Sequence, residues 1–293
     1  MHGFLKHEFW KSRNRFLILT ACLAVLFCCY FLYTGHYLST VNFPENQRTA
    51  YAAKAGQLKD DADRYLQGND VAPDDAKKVA ADLDTQEKLL EDMADSNRKG
   101  DWKAELRGAV EQMKLEQSMV SGGIVTENPY LPQKLVQDRY FLDHGIRPKD
   151  SDSACDGLNV LVMIARRFLP VLTPLCVLLL SLGAWLSEKK SGSMKLLLWQ
   201  ARPKRKILFD KLIAVWVEST AAIAVSCLAA FLVCRAFFGL GMTEYPVFLS
   251  GGLIRVTGEF LARTAAVVPA ATFALAAVCS LIAGGAVLKS ESV

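Results

Sequence analysis

Nowhere in the 293 residues is there a G-x-x-x-x-G-K-[ST] phosphate loop, a G-x-G-x-x-G turn or a G-x-S-x-G elbow. The chain therefore has no recognisable apparatus for hydrolysing ATP, gripping a dinucleotide or transferring an acyl group. Histidine is scarce: His2, His7, His36 and His144 are scattered and have no metal-ligand spacing. No CxxC occurs. Seven of the eight cysteines (Cys22, Cys28, Cys29, Cys176, Cys227, Cys234 and Cys279) lie in apolar segments, which leaves Cys155 without an accessible partner. A disulfide framework needs accessible pairs, so inert, buried thiols are expected. No catalytic, cofactor or metal residues can be assigned, and the chain is not expected to be an enzyme. Any energy it uses comes from another chain or an ion gradient.

What the chain does have is apolar length. It is 52% hydrophobic with a mean hydropathy of +0.19, which suits several membrane spans joined to a sizeable polar insert. A helix crosses a bilayer in about 20 mostly apolar residues. Four windows meet that length: residues 16–35, 168–186, 212–234 and 264–288. The helix of the second is expected to start near Gly157. The first is longer than a signal-peptide core and has no small-residue cleavage site, so it reads as a retained anchor. Pro170, Pro174 and Pro269 are placed to kink the second and fourth windows.

Lysine and arginine near span ends set orientation. Lys6, Lys11, Arg13 and Arg15 precede the first span, and eight basic residues lie within 187–211 between the second and third. Both segments are therefore expected in the cytoplasm, and residues 36–156 outside. From His36 to Cys155 there are 16 basic and 22 acidic residues, a net −6, so the rest of the +4 chain carries +10.

The insert reads as helical. Tyr51, Ala55, Leu58, Ala62 and Tyr65 lie near helical spacing in one stretch. Val79, Leu83, Leu90 and Met93 do so in a second, which starts at "PDDA" and stops before Gly100. Trp102, Leu106, Val110 and Met113 form a third, and residues 133–142 make a fourth, shorter helix. A small external bundle follows, serving either capture of a substrate or partner, or as a plain spacer.

Charges at membrane depth are costly. Glu218 is about two turns into the third span, either as an interfacial carboxylate or as a polar point on a translocation path. Arg166 and Arg167 stand at the outer boundary of the second span. Arg255, Glu259 and Arg263 at i, i+4, i+8 suggest a charged row on an interfacial helix. Ala262, Ala266, Ala270 and Ala274, one every four residues, predict a close-packing face within the chain or across a dimer.

The order of parts is informative: "FLKHEFWKSRNR", a span, an insert, then a span ending in "EKKSGSMKLLLWQARPKRKILFDKL" that leads into the next. This resembles the permease subunit of type-2 ABC exporters. In that family a glutamate, a Gly-Ser or Gly-Thr, a Leu-rich stretch, a Pro turn with a basic residue and a final Lys follow the second span. The matching positions are Glu188, Gly192, Ser193, Leu196, Leu197, Leu198, Pro203, either Arg205 or Lys206, Ile207 and Lys211. The resemblance implies that this segment contacts a separate ATPase subunit, which would hold ATP-Mg. It also implies an interfacial elbow helix over residues 4–15. Family members usually have six spans; four here implies a truncated, split or shortened relative.

The expected fold is an all-α integral membrane protein with about four transmembrane helices and an extracytoplasmic helical insert. Its parts run 1–15 elbow, 16–35 span, 36–156 insert, 157–186 span, 187–211 coupling segment, 212–235 span, 236–263 outer loop and interfacial helix, 264–288 span, and 289–293 cytoplasmic tail. The expected function is an exporter permease in the cell membrane, dimeric with itself or a second permease and driven by a partner ATPase. The alternative is a non-transporting sensor or scaffold. Attraction of residues 187–211 to anionic lipid, at about 1 kcal/mol per basic residue, fits either. Nucleic acid is excluded as a partner: the segment is short, tethered at both ends and lacks a binding fold.

Overall fold

The computed structural model describes residues 2–41, 44–68, 73–121, 129, 131–149, 154–191, 204–249 and 254–290. The chain divides into two compact units. One comprises Met1–Gly35, Ser153–Val247 and Ile254–Val293; the other comprises His36–Asp152 and Phe248–Leu253.

The first unit is a bundle of long apolar helices. Helix α1 runs His2–Val41, α6 Gly157–Met163, α7 Leu169–Ser191, α8 Lys204–Phe238 and α9 Thr257–Ser290. A five-residue π-helical turn, Ile164–Phe168, joins α6 to α7. Among the described residues four stretches are long and apolar enough to cross a membrane: Ser12–Leu38, Gly157–Leu186, Arg205–Phe238 and Thr257–Ala283. Only 17–39% of each apolar window is buried within the chain. Water would not tolerate so much uncovered apolar helix, whereas a lipid solvent would. The all-α, four-span architecture read from the sequence is therefore what the chain adopts.

Helix α1 is a single helix of 40 residues. At 1.5 Å per residue it is about 60 Å long. It passes without a break through Arg15 and Phe16, where the sequence placed a boundary between an elbow and the first span. Arg255 departs from expectation. It lies in a short strand, Ile254–Val256, paired with Pro246–Phe248, so the charged row on α9 starts at Glu259. Glu259 and Arg263 do meet, at 2.6 Å and one turn apart.

Packing in this unit depends on small contacts and a few polar bridges. Helix α7 packs on both α8 and α9, and α6 packs on α8. Phe27 and Phe31 of α1, Val160 and Met163 of α6, and Ile223, Ala230 and Cys234 of α8 form one buried cluster. Phe168 enters it edge-on, with ring centroids 5.6 Å from Phe27 and 6.0 Å from Phe31. Between α8 and α9, Trp216 Nε1 donates to the Pro269 carbonyl at 2.9 Å, and the Thr220 and Thr272 hydroxyls meet at 2.9 Å. Such interhelical bonds hold apolar helices together where the hydrophobic effect does not.

The start of α6 is tied to the turn after α8. Asp156 caps the helix by accepting from the Asn159 amide at 3.0 Å. The Gly157 and Leu158 amides, which no helical partner could satisfy, donate to the Gly239 and Leu240 carbonyls at 2.9 and 3.0 Å. Gly241 makes this turn possible. Its φ is +82°, and a Cβ there would land on the Asp156 carboxylate. Gly241→Ala is expected to cost about 2–3 kcal/mol, from a left-handed backbone and a displaced cap. A lowered melting temperature in detergent, with no comparable change for Ala at the uncrowded Gly56, checks this.

Cys155, next to that cap, is buried. Burial first, and then the neighbouring Asp156 carboxylate, push its thiol up to about 11. Thiolate is the reacting form, so maleimide labelling of Cys155 at pH 8 should be about 100-fold slower than that of an ordinary thiol. Mass spectrometry of a time course measures it, and labelling at the ordinary rate would contradict this environment.

The second unit is the polar insert. It contains α2 (Pro44–Gly68), α3 (Pro73–Lys99), α4 (Trp102–Ser121) and α5 (Leu131–His144). Val79, Leu90 and Met93 of α3 and Leu106, Val110 and Met113 of α4 are buried, as their spacing predicts. The α3–α4 turn uses Gly100 at φ +72°, and Asp101 caps α4 by accepting from the Ala104 amide at 3.1 Å. Tyr51 of α2 donates to Glu105 at 2.5 Å, and Lys54 reaches Glu116 at 3.1 Å. Burial, with Glu105 adding to it, raises the Tyr51 phenol well above its ordinary range.

Candidate functional site

Contacts fix which helix ends meet. Ser12 of α1 donates to the Glu218 carboxylate of α8. The Arg15 guanidinium lies against Gly183 of α7, where a Cβ would sit 3.0 Å from Nη1. Ala283 of α9 packs on Trp185 of α7. So the start of α1, the end of α7, the start of α8 and the end of α9 share one end of the bundle. Arg13, Arg15, Lys189, Arg205 and Lys206 are gathered there, which is the distribution that short basic segments on one side of a membrane require.

Within that end lies a buried polar cluster. Lys211 is fully buried, with Nζ 5.3 Å from the centroid of the Trp185 ring. An ammonium over an indole face is attracted by the ring quadrupole, most strongly when water is excluded. The indole N–H has no hydrogen-bond partner among the described residues, so the ring face, not the N–H, is what the site uses. Asp210 is buried beside it in sequence, and Glu218, seven residues after Lys211, is also buried. Seven residues are nearly two helical turns, so Lys211 and Glu218 share a face of α8.

The residues singled out from the sequence are placed as follows. Glu188 is in the last turn of α7. Gly192, Ser193, Leu196, Leu197, Leu198 and Pro203 lie outside the described residues. Arg205 and Lys206 are exposed in the first turn of α8, whereas Lys211, read as the last basic residue of the same segment, points inward. Arg166 and Arg167 are exposed on the π turn. That turn meets α1 at Phe27 and Phe31, more than 14 residues beyond Ser12, so these arginines and Glu218 are about 20 Å apart along α1 and form no common site. Ala262, Ala266, Ala270 and Ala274 are all exposed. The face of α9 buried within the chain carries Thr272, Ala276 and Ser280 instead.

A groove of about 580 Å³ lies between α7 and α9. Pro170, Thr173 and Pro174 form one wall, Val267 and Leu275 the other, and Arg255 and Arg263 also line it. The sequence reading missed Ser12, Trp185 and the π turn. Trp185 carried no signal, because the sequence did not show Lys211 to be buried; the π turn holds no proline or glycine, but Pro170 was a signal for it, since Pro170 has no N–H for the Arg166 carbonyl and its ring crowds that oxygen.

Comparison with characterised proteins and with solved structures returns no match. The sequence profile of a family described as "ABC-2 family transporter protein" matches residues 5–293, nearly the whole chain. With four long apolar helices among the described residues and a family match over nearly its whole length, the chain is a multi-pass membrane component of transport and belongs to the ABC-2 transporter family.

Proposed function

We propose that this chain is the membrane-spanning permease subunit of an exporter, driven by a separate ATPase subunit that binds and hydrolyses ATP-Mg. The observation that carries this is the family match across residues 5–293. The gathering of Arg13, Arg15, Lys189, Arg205 and Lys206 at one end supports placing that end in the cytoplasm of a cell-membrane protein. In this reading residues 36–156 lie outside the cell.

In this reading the ATPase docks on Glu188, Gly192, Ser193, Leu196, Leu197, Leu198, Pro203, Arg205 and Lys206. ATP binding and hydrolysis shift that segment. Lys211 and Glu218, on the same helix and buried against α7 and α1, carry the shift into the spans. The uncovered row of Ala262, Ala266, Ala270 and Ala274 is where a second copy, or a second permease, packs.

The test is co-purification from native membranes. The wild-type chain should retain an ATPase, with two permease copies per complex by native mass spectrometry. Gly192→Trp combined with Leu197→Asp should lose the ATPase and the export that depends on it. An unchanged complex and unchanged export in that variant would remove the coupling assignment, and a single copy per complex would remove the dimer.

A further inference from the structure

The groove of about 580 Å³ between α7 and α9 lies along two membrane-spanning stretches, so it opens into lipid rather than water. On α9 its lining runs from Phe260 to Leu275. Fifteen steps of 1.5 Å make about 22 Å. The hydrocarbon core of a bilayer is about 30 Å thick, so the groove is long enough to cover the acyl layer of one leaflet. Its walls are apolar, with Leu169, Pro170 and Pro174 on α7 and Val267, Ala271 and Leu275 on α9. Pro170 and Pro174, one turn apart, present rigid rings that lose no rotamer freedom when a chain lies against them.

One end of the groove is charged. Arg255 and Arg263 line it at the end where α9 begins. Arg263 is held by Glu259 at 2.6 Å. Arg255 is half-buried and meets no carboxylate among the described residues. Taking a guanidinium partly out of water without a counter-ion is unfavourable. Two arginines against Glu259 leave this end with a net positive charge. An anion arriving there would pair with Arg255 and leave the Arg263–Glu259 bridge intact. Phosphate oxygens match the guanidinium fork, two N–H donors to two acceptors.

The occupant has to satisfy both features. A soluble phosphate fits the arginines but leaves the apolar walls uncovered. A helix of a second copy would cover the walls but bring no anion, and none of Ala262, Ala266, Ala270 and Ala274, the row read for self-association, lines the groove. A glycerophospholipid with a net negative headgroup carries the anion and the chain in one molecule, and basic pockets between spans suit such headgroups.

We propose that this groove is a binding site for one anionic glycerophospholipid. Its phosphate pairs with Arg255 beside Arg263, and one acyl chain lies between the proline rings of α7 and Val267, Ala271 and Leu275 of α9. The site is separate from the segment assigned to the ATPase. Only the leaflet concerned, the outer one, rests on the export reading.

Native mass spectrometry of the full chain in detergent tests this, with phosphatidylglycerol and phosphatidylcholine of identical acyl chains supplied in equal amounts. One phosphatidylglycerol should be retained per chain, at least fivefold over phosphatidylcholine. Arg255→Gln with Arg263→Gln should bring the two lipids within twofold. Arg98→Gln with Arg107→Gln, the same charge change at exposed positions of the insert, should keep the preference. Ala271 is exposed and lines the groove, so Ala271→Trp fills it from the lipid side. That variant should retain at least tenfold less phosphatidylglycerol, with circular dichroism and the lipid-free melting temperature unchanged. Glycerol phosphate, which has the anion but no chain, should not displace the lipid. Equal retention of the two lipids by the wild-type chain, or wild-type retention in both the arginine variant and Ala271→Trp, overturns the proposal. Displacement by glycerol phosphate overturns it in favour of a soluble anion. Loss of a dimer in Ala271→Trp with lipid retention unchanged overturns it in favour of a second copy. If the ATPase co-purifies while no lipid preference is seen, this site falls and the permease reading stands.

Discussion

Trp185→Ala is expected to be the most damaging single truncation in the bundle. Trp185 is fully buried, packs on Leu208 and Ala283, and lies under the Lys211 ammonium. Removing a buried indole leaves a large cavity, a loss of about 3–5 kcal/mol. It also strips Lys211 of the ring that compensates its burial, worth up to about 2 kcal/mol when desolvated. Marginal membrane bundles do not absorb such a loss, so the variant should fall sharply in thermal stability in detergent and in membrane yield. Trp185→Phe separates the causes. It keeps an aromatic face under the ammonium and removes an N–H that has no partner among the described residues, so its loss should be less than half that of alanine. Equal losses would show that the cation–ring contact contributes nothing.

Glu218→Ala is expected to have the second largest effect. The carboxylate is buried and accepts from Ser12, so the substitution deletes a charged hydrogen bond worth about 1.5–3 kcal/mol and leaves the Ser12 hydroxyl one partner fewer. Glu218→Gln retains an acceptor oxygen and should recover most of the stability. Export then discriminates between the two roles read for this residue. If Glu218 only staples α1 to α8, Glu218→Gln exports normally. If its charge belongs to a translocation path, Glu218→Gln is stable but at least tenfold impaired in export. Full export by Glu218→Ala would leave the carboxylate without either role.

The sequence revealed most where one physical signal dominated. Residues 212–234 and 264–288 are apolar over bilayer length, and length with hydropathy alone places α8 and α9. In the insert, Val79, Leu90 and Met93 recur at helical spacing between Pro73 and Gly100, and α3 follows those marks. The failures came where tertiary contact overrode local pattern. Lys211 reads as one more basic residue in a basic segment; only the position of Trp185 on another helix makes it a buried side chain. Arg255 fits a helical charge row by spacing, but pairing of Ile254–Val256 with Pro246–Phe248 draws it into a strand. The alanines at 262, 266, 270 and 274 left open a face packed within the chain or across a dimer; all four are exposed, so α7 and α8 pack on another face of α9.

The π turn at Ile164–Phe168 has a geometric consequence for the second span. Each α-helical residue advances the side-chain direction by about 100°, and one π turn inserts about one residue beyond that count. The stretch before it therefore carries a different angular phase from the stretch after it. Val160 and Met163 can face α8 while Phe168 points into the rings of α1 and Leu180 faces α9's Ala276. An unbroken α-helix through the same residues would have to give up one of these contacts. The turn thus works as a phase shifter, letting one membrane-crossing helix serve partners on sides that a regular helix could not address together.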